Sequence, residues 1–239
     1  MRKTDRRFGV RAGARGLIIL ATCCEMAVTA MAQGGPGAKP AAGPWMNHNL
    51  SPDERAEIVL KQLSLDEKIG LLHGNGMAHA GPRWQTPLTA LSNGGAGYVE
   101  GIPRLGIPAL YLSDAAYGVR SSGANGKYST ALTSDLGLAA SWDPALAYAY
   151  GALIGRELRA QGFNYGLGGG MNITREPRNG RNFEYLGEDP ILAGTIGGNL
   201  LKGVQAQHVL GNVKHYAVND QETGRNFVDA VISKRALQE

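Results

Sequence analysis

The chain has 239 residues with 24 Lys and Arg against 20 Asp and Glu, a net charge of +4 that lies wholly in residues 1–32, with six basic and two acidic side chains. The other 207 residues balance at 18 of each sign, so charge provides no footprint for a nucleic-acid partner. Both cysteines, Cys23 and Cys24, fall in the same first segment, which excludes a disulfide scaffold for the remainder and leaves its stability to a hydrophobic core.

Residues 1–32 read as a secretory signal peptide. Arg2, Lys3, Arg6, Arg7, Arg11 and Arg15 precede the apolar Leu17-Ile18-Ile19-Leu20-Ala21, and Ala30-Met31-Ala32 fits a small-residue cleavage site. The segment is too short and polar-flanked for a membrane span. Arg6-Arg7-Phe8 loosely resembles a twin-arginine signal, although Glu25 interrupts the apolar stretch. The predicted destination is the periplasm or the extracellular space. Residues 33–50 form a flexible tether, rich in Gly, Pro and Ala over 33–44.

Order is predicted from Ser51. Ser51-Pro52-Asp53-Glu54 and Ser64-Leu65-Asp66-Glu67 are two capping boxes, each announcing a short helix. Residues 74–101, rich in Gly, Pro and Asn, read as a long loop. Within it Trp84 offers an aromatic platform for a sugar ring, or simply packs the loop. Short apolar strands then alternate with capped helices. Strands are predicted at Ala109–Leu112, ending in Ser113-Asp114, at Leu136–Ala140, at Phe163–Leu167 and at Val209–Val213, ending in Lys214-His215. Helices are predicted from Asp143-Pro144 to about Gln161, from Asp189-Pro190 to about Gln207, and over Lys234–Glu239 behind Ser233. This alternation predicts a parallel α/β fold, (β/α)8 TIM-barrel-like and incomplete, with about four strand–helix units and a last helix that has a start signal and no stop.

The active site of such a barrel lies at the carboxyl ends of its strands. Asp114 and Lys214-His215 fall there, as a cap and a solvated strand end or as a polar rim. Arg181, in the loop after the third strand, has fixed donors for hydroxyl or carboxylate partners, with Glu184 and Glu188 as structural alternatives. Gly166-Leu167-Gly168-Gly169-Gly170 is no phosphate-binding fingerprint, because it does not open into a helix. His73, His79, His208 and His215 have no metal-ligand spacing, and no cofactor is implied.

Three blocks, in order, resemble glycoside hydrolase family 3. The first is Gly101-Ile102-Pro103-Arg104-Leu105-Gly106-Ile107-Pro108-Ala109-Leu110 with Ser113-Asp114 and Gly118-Val119-Arg120. The second is Arg175-Glu176-Pro177-Arg178-Asn179-Gly180-Arg181-Asn182-Phe183-Glu184-Tyr185 with Gly187-Glu188-Asp189-Pro190. The third is Val213-Lys214-His215-Tyr216-Ala217 with Gln221-Glu222-Thr223 and Arg225. The resemblance spans residues 51–239 and implies the amino-terminal barrel domain of an exported β-glucosidase or β-xylosidase, partnered by a carboxy-terminal domain of the same protein. It implies that Asp114, Arg120, Arg181, Lys214, His215 and Arg225 bind a β-linked glucoside or xyloside oligosaccharide. It places the nucleophilic Asp, in a Ser-Asp-Trp-like segment, and the acid/base Glu beyond Glu239, so that no catalytic carboxylate is expected here. The family pattern Asp-Gly-Pro is replaced by Asp114-Ala115-Ala116, and Glu222 matches a position that orients its neighbours. No second histidine follows Lys214-His215, unlike the N-acetylglucosaminidase branch. The expected function is the amino-terminal portion of a retaining β-glycosidase, with a non-catalytic carbohydrate-binding module as the alternative.

Overall fold

Ser51 and Ser64 start their helices as the capping boxes predict. In the computed structural model of the protein, which describes residues 43–74, 92–120 and 128–239, α1 spans Pro52–Leu60 and α2 spans Leu65–Leu72. Each serine hydroxyl accepts the amide of the glutamate three residues on, and each glutamate carboxylate accepts the serine amide. Glu67 also pairs with Arg104, which holds its carboxyl down at about 2. Trp84 and His79 lie outside the described residues.

The sheet has four strands in the order β1 (Gly97–Val99), β2 (Leu110–Asp114), β3 (Tyr165–Gly170) and β4 (Leu210–Lys214). β1 runs antiparallel to β2, while β2, β3 and β4 are mutually parallel. Between β2 and β3 the chain passes through α3 (Asp135–Ala139) and α4 (Pro144–Ala160); between β3 and β4 it passes through α5 (Pro190–Gln205). Asp143 and Asp189 cap α4 and α5, each accepting two amides of the first turn, with a proline at the start of the helix. Ser233 caps α6 (Lys234–Gln238). The result is an α/β fold with a partial, mainly parallel sheet, the strand–helix arrangement of part of a (β/α)8 barrel.

The core lies between the sheet and the helix pair. Ala147, Tyr150, Ile154 and Leu158 form one stripe of α4, and Ala193, Ile196, Leu200 and Val204 form one stripe of α5. Both repeat at three or four residues, and burying each large side chain contributes about 1.5–3 kcal/mol. The two helices approach closely because Gly151 rests on the backbone of Leu200, and Gly203 on the backbone of Tyr148 and Ala152; a side chain at either glycine has no room. Among the described residues no helix is long and apolar enough to cross a membrane.

Three expectations are corrected. Leu136–Ala140 is not a strand but the body of α3: Ser134 caps it through the Gly137 amide, and Leu138 and Ala139 are buried while Leu136 is exposed. A five-residue apolar run fits either period, and the capping serine decides for helix. Within the predicted 74–101 loop, Gly97–Val99 forms β1, a strand too short to stand out from its Gly-rich surroundings. The third strand begins two residues later than predicted and runs through the glycines to Gly170. Phe163 goes instead into the core, and the Asn164 side chain ties the strand entry to β2, accepting the Tyr111 amide at 2.8 Å and donating to the Ala109 carbonyl at 2.8 Å.

Candidate functional site

The carboxyl ends of β2, β3 and β4 lie side by side, and the register fixes which residues meet there. Asp114 ends β2, Gly170 ends β3 and Lys214 ends β4, with Gly170 directly opposite Lys214. Glycines make the close spacing possible, since a side chain at Gly168 crowds the Ala115 carbonyl and one at Gly170 collides with the Glu184 carbonyl. The loop that follows β2 is closed by its own backbone. Asp114 O accepts the Arg120 amide at 2.8 Å, and the buried Ser113 hydroxyl donates to Arg120 O at 2.5 Å. Ala115 and Ala116 are buried in this loop, so small side chains suit the positions where the family pattern has Gly and Pro.

These strand ends form one wall of an open cleft of about 1570 Å³. All six residues singled out from the sequence line it: Asp114, Arg120, Arg181, Lys214, His215 and Arg225. Lys214 Nζ donates to Asp114 Oδ1 at 2.9 Å. The lysine side chain is 16% exposed and the aspartate 40%, so the pair faces the cleft from a half-buried floor.

His215 is held from three directions. Its backbone amide donates to Asn172 Oδ1 at 2.7 Å, its Nδ1 lies 3.2 Å from the Tyr185 hydroxyl, and its ring meets the Tyr185 ring edge-on. Burial pushes the imidazole below its ordinary range, and the nearby charges of Arg181 and Lys214 push it the same way. A neutral imidazole carries one donor and one acceptor. The Tyr185 hydroxyl proton goes either to Nδ1 or to the Asn219 carbonyl, and that choice sets which role Nε2 plays.

Glu222 is a clamp. It accepts from Arg225 Nη1 at 3.0 Å, from Asn219 Nδ2 at 3.2 Å and from Arg181 Nη1 at 3.5 Å. Burial raises its carboxyl, but the Asn219 hydrogen bond and the two guanidinium charges outweigh it and hold Glu222 below the usual range. Arg181 also pairs through Nε with the buried Glu184. Asn219 Nδ2 reaches the Tyr185 hydroxyl at 2.9 Å, which joins the Glu222 group to the His215 group.

The arrangement therefore presents carboxylate acceptors, Asp114 among them, an ammonium, a neutral imidazole and fixed guanidinium groups around a single concavity. That combination matches a polyhydroxylated ligand, whose neighbouring hydroxyls each need a donor and an acceptor in set places. Among the described residues no three His, Cys, Asp or Glu side chains group to hold a metal ion.

Sequence reasoning did not single out Tyr185, Asn172, Asn219 or Asp135. Asn172 stands in a glycosylation sequon, yet it is buried and spends its side-chain oxygen on His215. Tyr185 lies within a recognised block, but only the fold brings it 30 residues along the chain to His215. Asp135 left no signal, standing just before a run read as a strand.

Residues 95–239 match the glycosyl hydrolase family 3 N terminal domain. The chain is 39% identical over 194 residues to a β-glucosidase of Bacteroides ovatus, covering 77% of this chain and 23% of that protein. It is 35% identical over 189 residues to thermostable β-glucosidase B of Acetivibrio thermocellus, covering 76% and 22%. The chain thus spans under a quarter of the length of these relatives. Among solved structures it resembles the β-glucosidase DesR of Streptomyces venezuelae in complex with D-glucose, with a TM-score of 0.67, 34% identity and coverage of 77% and 22%. It also resembles β-glucosidase 3B of Thermotoga neapolitana in complex with α-D-glucose, with a TM-score of 0.67, 37% identity and coverage of 77% and 26%.

Proposed function

The chain belongs to glycoside hydrolase family 3, and from that premise we propose that it is the amino-terminal, sugar-holding part of an exported retaining β-glycosidase acting on β-glucosides or related oligosaccharides. The observation that carries this reading is the Lys214–Asp114 pair at the floor of a cleft that all six candidate residues line. The glucose complexes of two similar β-glucosidases support a glucosyl unit as the ligand.

In this reading Asp114 accepts from sugar hydroxyls, while Lys214, Arg120, Arg181 and Arg225 donate to them and His215 does either. Contacts of this kind gain strength when positive charge develops on the ring in an oxocarbenium-like transition state. The chain alone does not turn over a glycoside. Retaining hydrolysis needs two carboxyl groups about 5–5.5 Å apart, one ionised and one carrying a proton. Of the carboxylates that line the cleft, Asp114 is engaged by Lys214, Glu176 by Arg178 and Glu184 by Arg181, while burial pushes Asp220 up; Glu222, beside them, is held ionised by two arginines. The paired carboxylates are not free to attack or to donate a proton, and the family resemblance assigns neither catalytic role to Asp220 or Asp229.

The test is a glucose titration followed by NMR on the 239-residue chain, beside an aryl β-glucoside assay run with a complete relative as positive control. Saturable glucose binding without turnover is expected. Asp114→Ala should weaken that binding by about fivefold to 150-fold, because loss of one charged hydrogen bond costs roughly 1–3 kcal/mol, while the melting temperature changes little. Steady turnover abolished by Glu222→Gln overturns the assignment of roles, and unchanged binding in folded Asp114→Ala makes Asp114 a structural residue only.

Export is part of the same proposal, with residues 1–32 removed and residues 33–50 as a tether ahead of the barrel portion at 51–239. Mass spectrometry of exported material should find the chain starting at Gln33. Intact Met1, or Arg2 after loss of methionine, on exported protein refutes it.

A further inference from the structure

Asp135 is a fully buried carboxyl group among the described residues. It is 0% exposed, and it sits at the first position of α3, behind the strand ends and out of reach of the cleft. Its Oδ2 accepts the backbone amide of Gly170 at 3.4 Å, and its Oδ1 has no hydrogen-bond partner among the described residues. Gly170 is the last residue of β3. It is register partner to Lys214 on one side and bridges to Tyr185 on the other. No side chain fits at Gly170, because Glu184 O is already against it. The next residue continues the tie to β4, with the Met171 amide donating to Lys214 O at 2.7 Å.

We infer that Asp135 is a positioning residue for the sugar site: by holding the Gly170 amide it fixes the end of β3 between Lys214 and Tyr185, and so sets where the Lys214 ammonium and the His215 imidazole stand in the cleft. The inference rests on the sugar-binding reading of that cleft. A buried carboxyl group is costly without paired partners, and a small apolar residue serves better if α3 only needs a helix start, since Ser134 already caps it. The charged groups that act on Asp135 are Glu184, which repels its anion, and Lys214, which attracts it; Tyr150 on α4 feels the Asp135 charge in turn. Lys214 thus couples to Asp135 both through the backbone ladder and through its charge. Asp135 touches no ligand, and it acts only through Gly170, Lys214 and Tyr185.

The acceptor oxygen is the essential feature, so Asp135→Asn should preserve the site and Asp135→Ala should not. Glucose titration of the 239-residue chain should give an affinity for Asp135→Asn within about twofold of the parent, and for Asp135→Ala about tenfold or more weaker, with the His215 imidazole titration displaced in the alanine variant alone. Folded Asp135→Ala with parental affinity and an unmoved His215 titration overturns the inference, and so does Asp135→Asn as weak as Asp135→Ala. If Asp135→Ala does not fold, the parent decides the matter. Its Gly170 amide proton should follow one titration step that is missing in Asp135→Asn, and a Gly170 amide that does not titrate overturns the inference. If the parent binds no glucose, the sugar-site reading fails, while the Gly170 and His215 measurements still judge the contact itself.

Discussion

Replacing Arg181 by alanine should destabilise the fold by roughly 3–5 kcal/mol, the cost of breaking a buried ion pair by removing one partner. Glu184, the partner left behind, has a side chain only 6% exposed, and Arg181 itself is 20% exposed. Burial alone lowers the guanidinium, but the Glu184 hydrogen bond and charge outweigh it and raise it, as expected for a cation whose partner is fixed in place. Arg225→Ala is the control. Arg225 bonds the same Glu222 but is 51% exposed, and an exposed pair is worth about 0–1 kcal/mol. Urea unfolding of both variants, with the slope held common, measures the contrast. Losses equal within half of the smaller value indicate that Glu184 finds another partner or water, and that Arg181 serves the cleft alone. Arg181→Lys should recover only part of the loss, since an ammonium cannot span Glu184 and Glu222 with one planar fork.

How much of this was legible depends on whether a feature is local. Both capping boxes, the two Asp-Pro helix starts and the strand ends at Asp114 and Lys214 were readable because each rests on contacts within a few residues. Leu136–Ala140 failed for the same reason: five apolar residues carry no period, and Ser134 as their cap competes with many other serine roles. The glycines at 166–170 were readable as a strand end and its tight exit, and not as a phosphate loop. Their purpose, backbone approach to Ala115 and Glu184, exists only once β2 and the 182–184 turn are in place. The six candidate residues do line one cleft, but the side chains that orient them come from far along the chain. Tyr185 is 30 residues from His215, Asn172 is 43 from the same histidine, and Arg181 is 41 from Glu222. Motif resemblance reaches the groups that face a ligand. It says nothing of a buried acid such as Asp135, whose meaning lies in the amide it meets.

The stability of the chain should carry a component that falls as pH rises from about 4 to about 7, and Asp135→Asn should remove it. Burial pushes the Asp135 carboxyl up from 3.8 to about 7, opposed by the Gly170 amide, assisted by the Glu184 charge and opposed by the Lys214 charge. Below pH 4 the group is protonated in the folded and unfolded chains, and it imposes no penalty. Between the two values the unfolded chain releases the proton and the folded chain keeps it, so each pH unit lowers stability by about 1.4 kcal/mol. Above pH 7 both states are ionised and the full penalty, of the order of 4 kcal/mol, has been reached. His215 works in the opposite direction. Its folded imidazole titrates lower than in the unfolded chain, so its contribution is lost as pH falls through the folded value and is complete above about 6.5. The raw stability curve mixes the two, and the difference between parent and Asp135→Asn separates them. An amide side chain left short of a partner adds only a constant offset, because it does not titrate. Urea midpoints for both proteins at half-unit steps from pH 4 to pH 8 should therefore diverge steadily up to about pH 7 and run parallel beyond it. Parallel curves throughout mean that the carboxyl group is ionised in the fold at neutral pH, with Lys214 and the Gly170 amide compensating its burial in full.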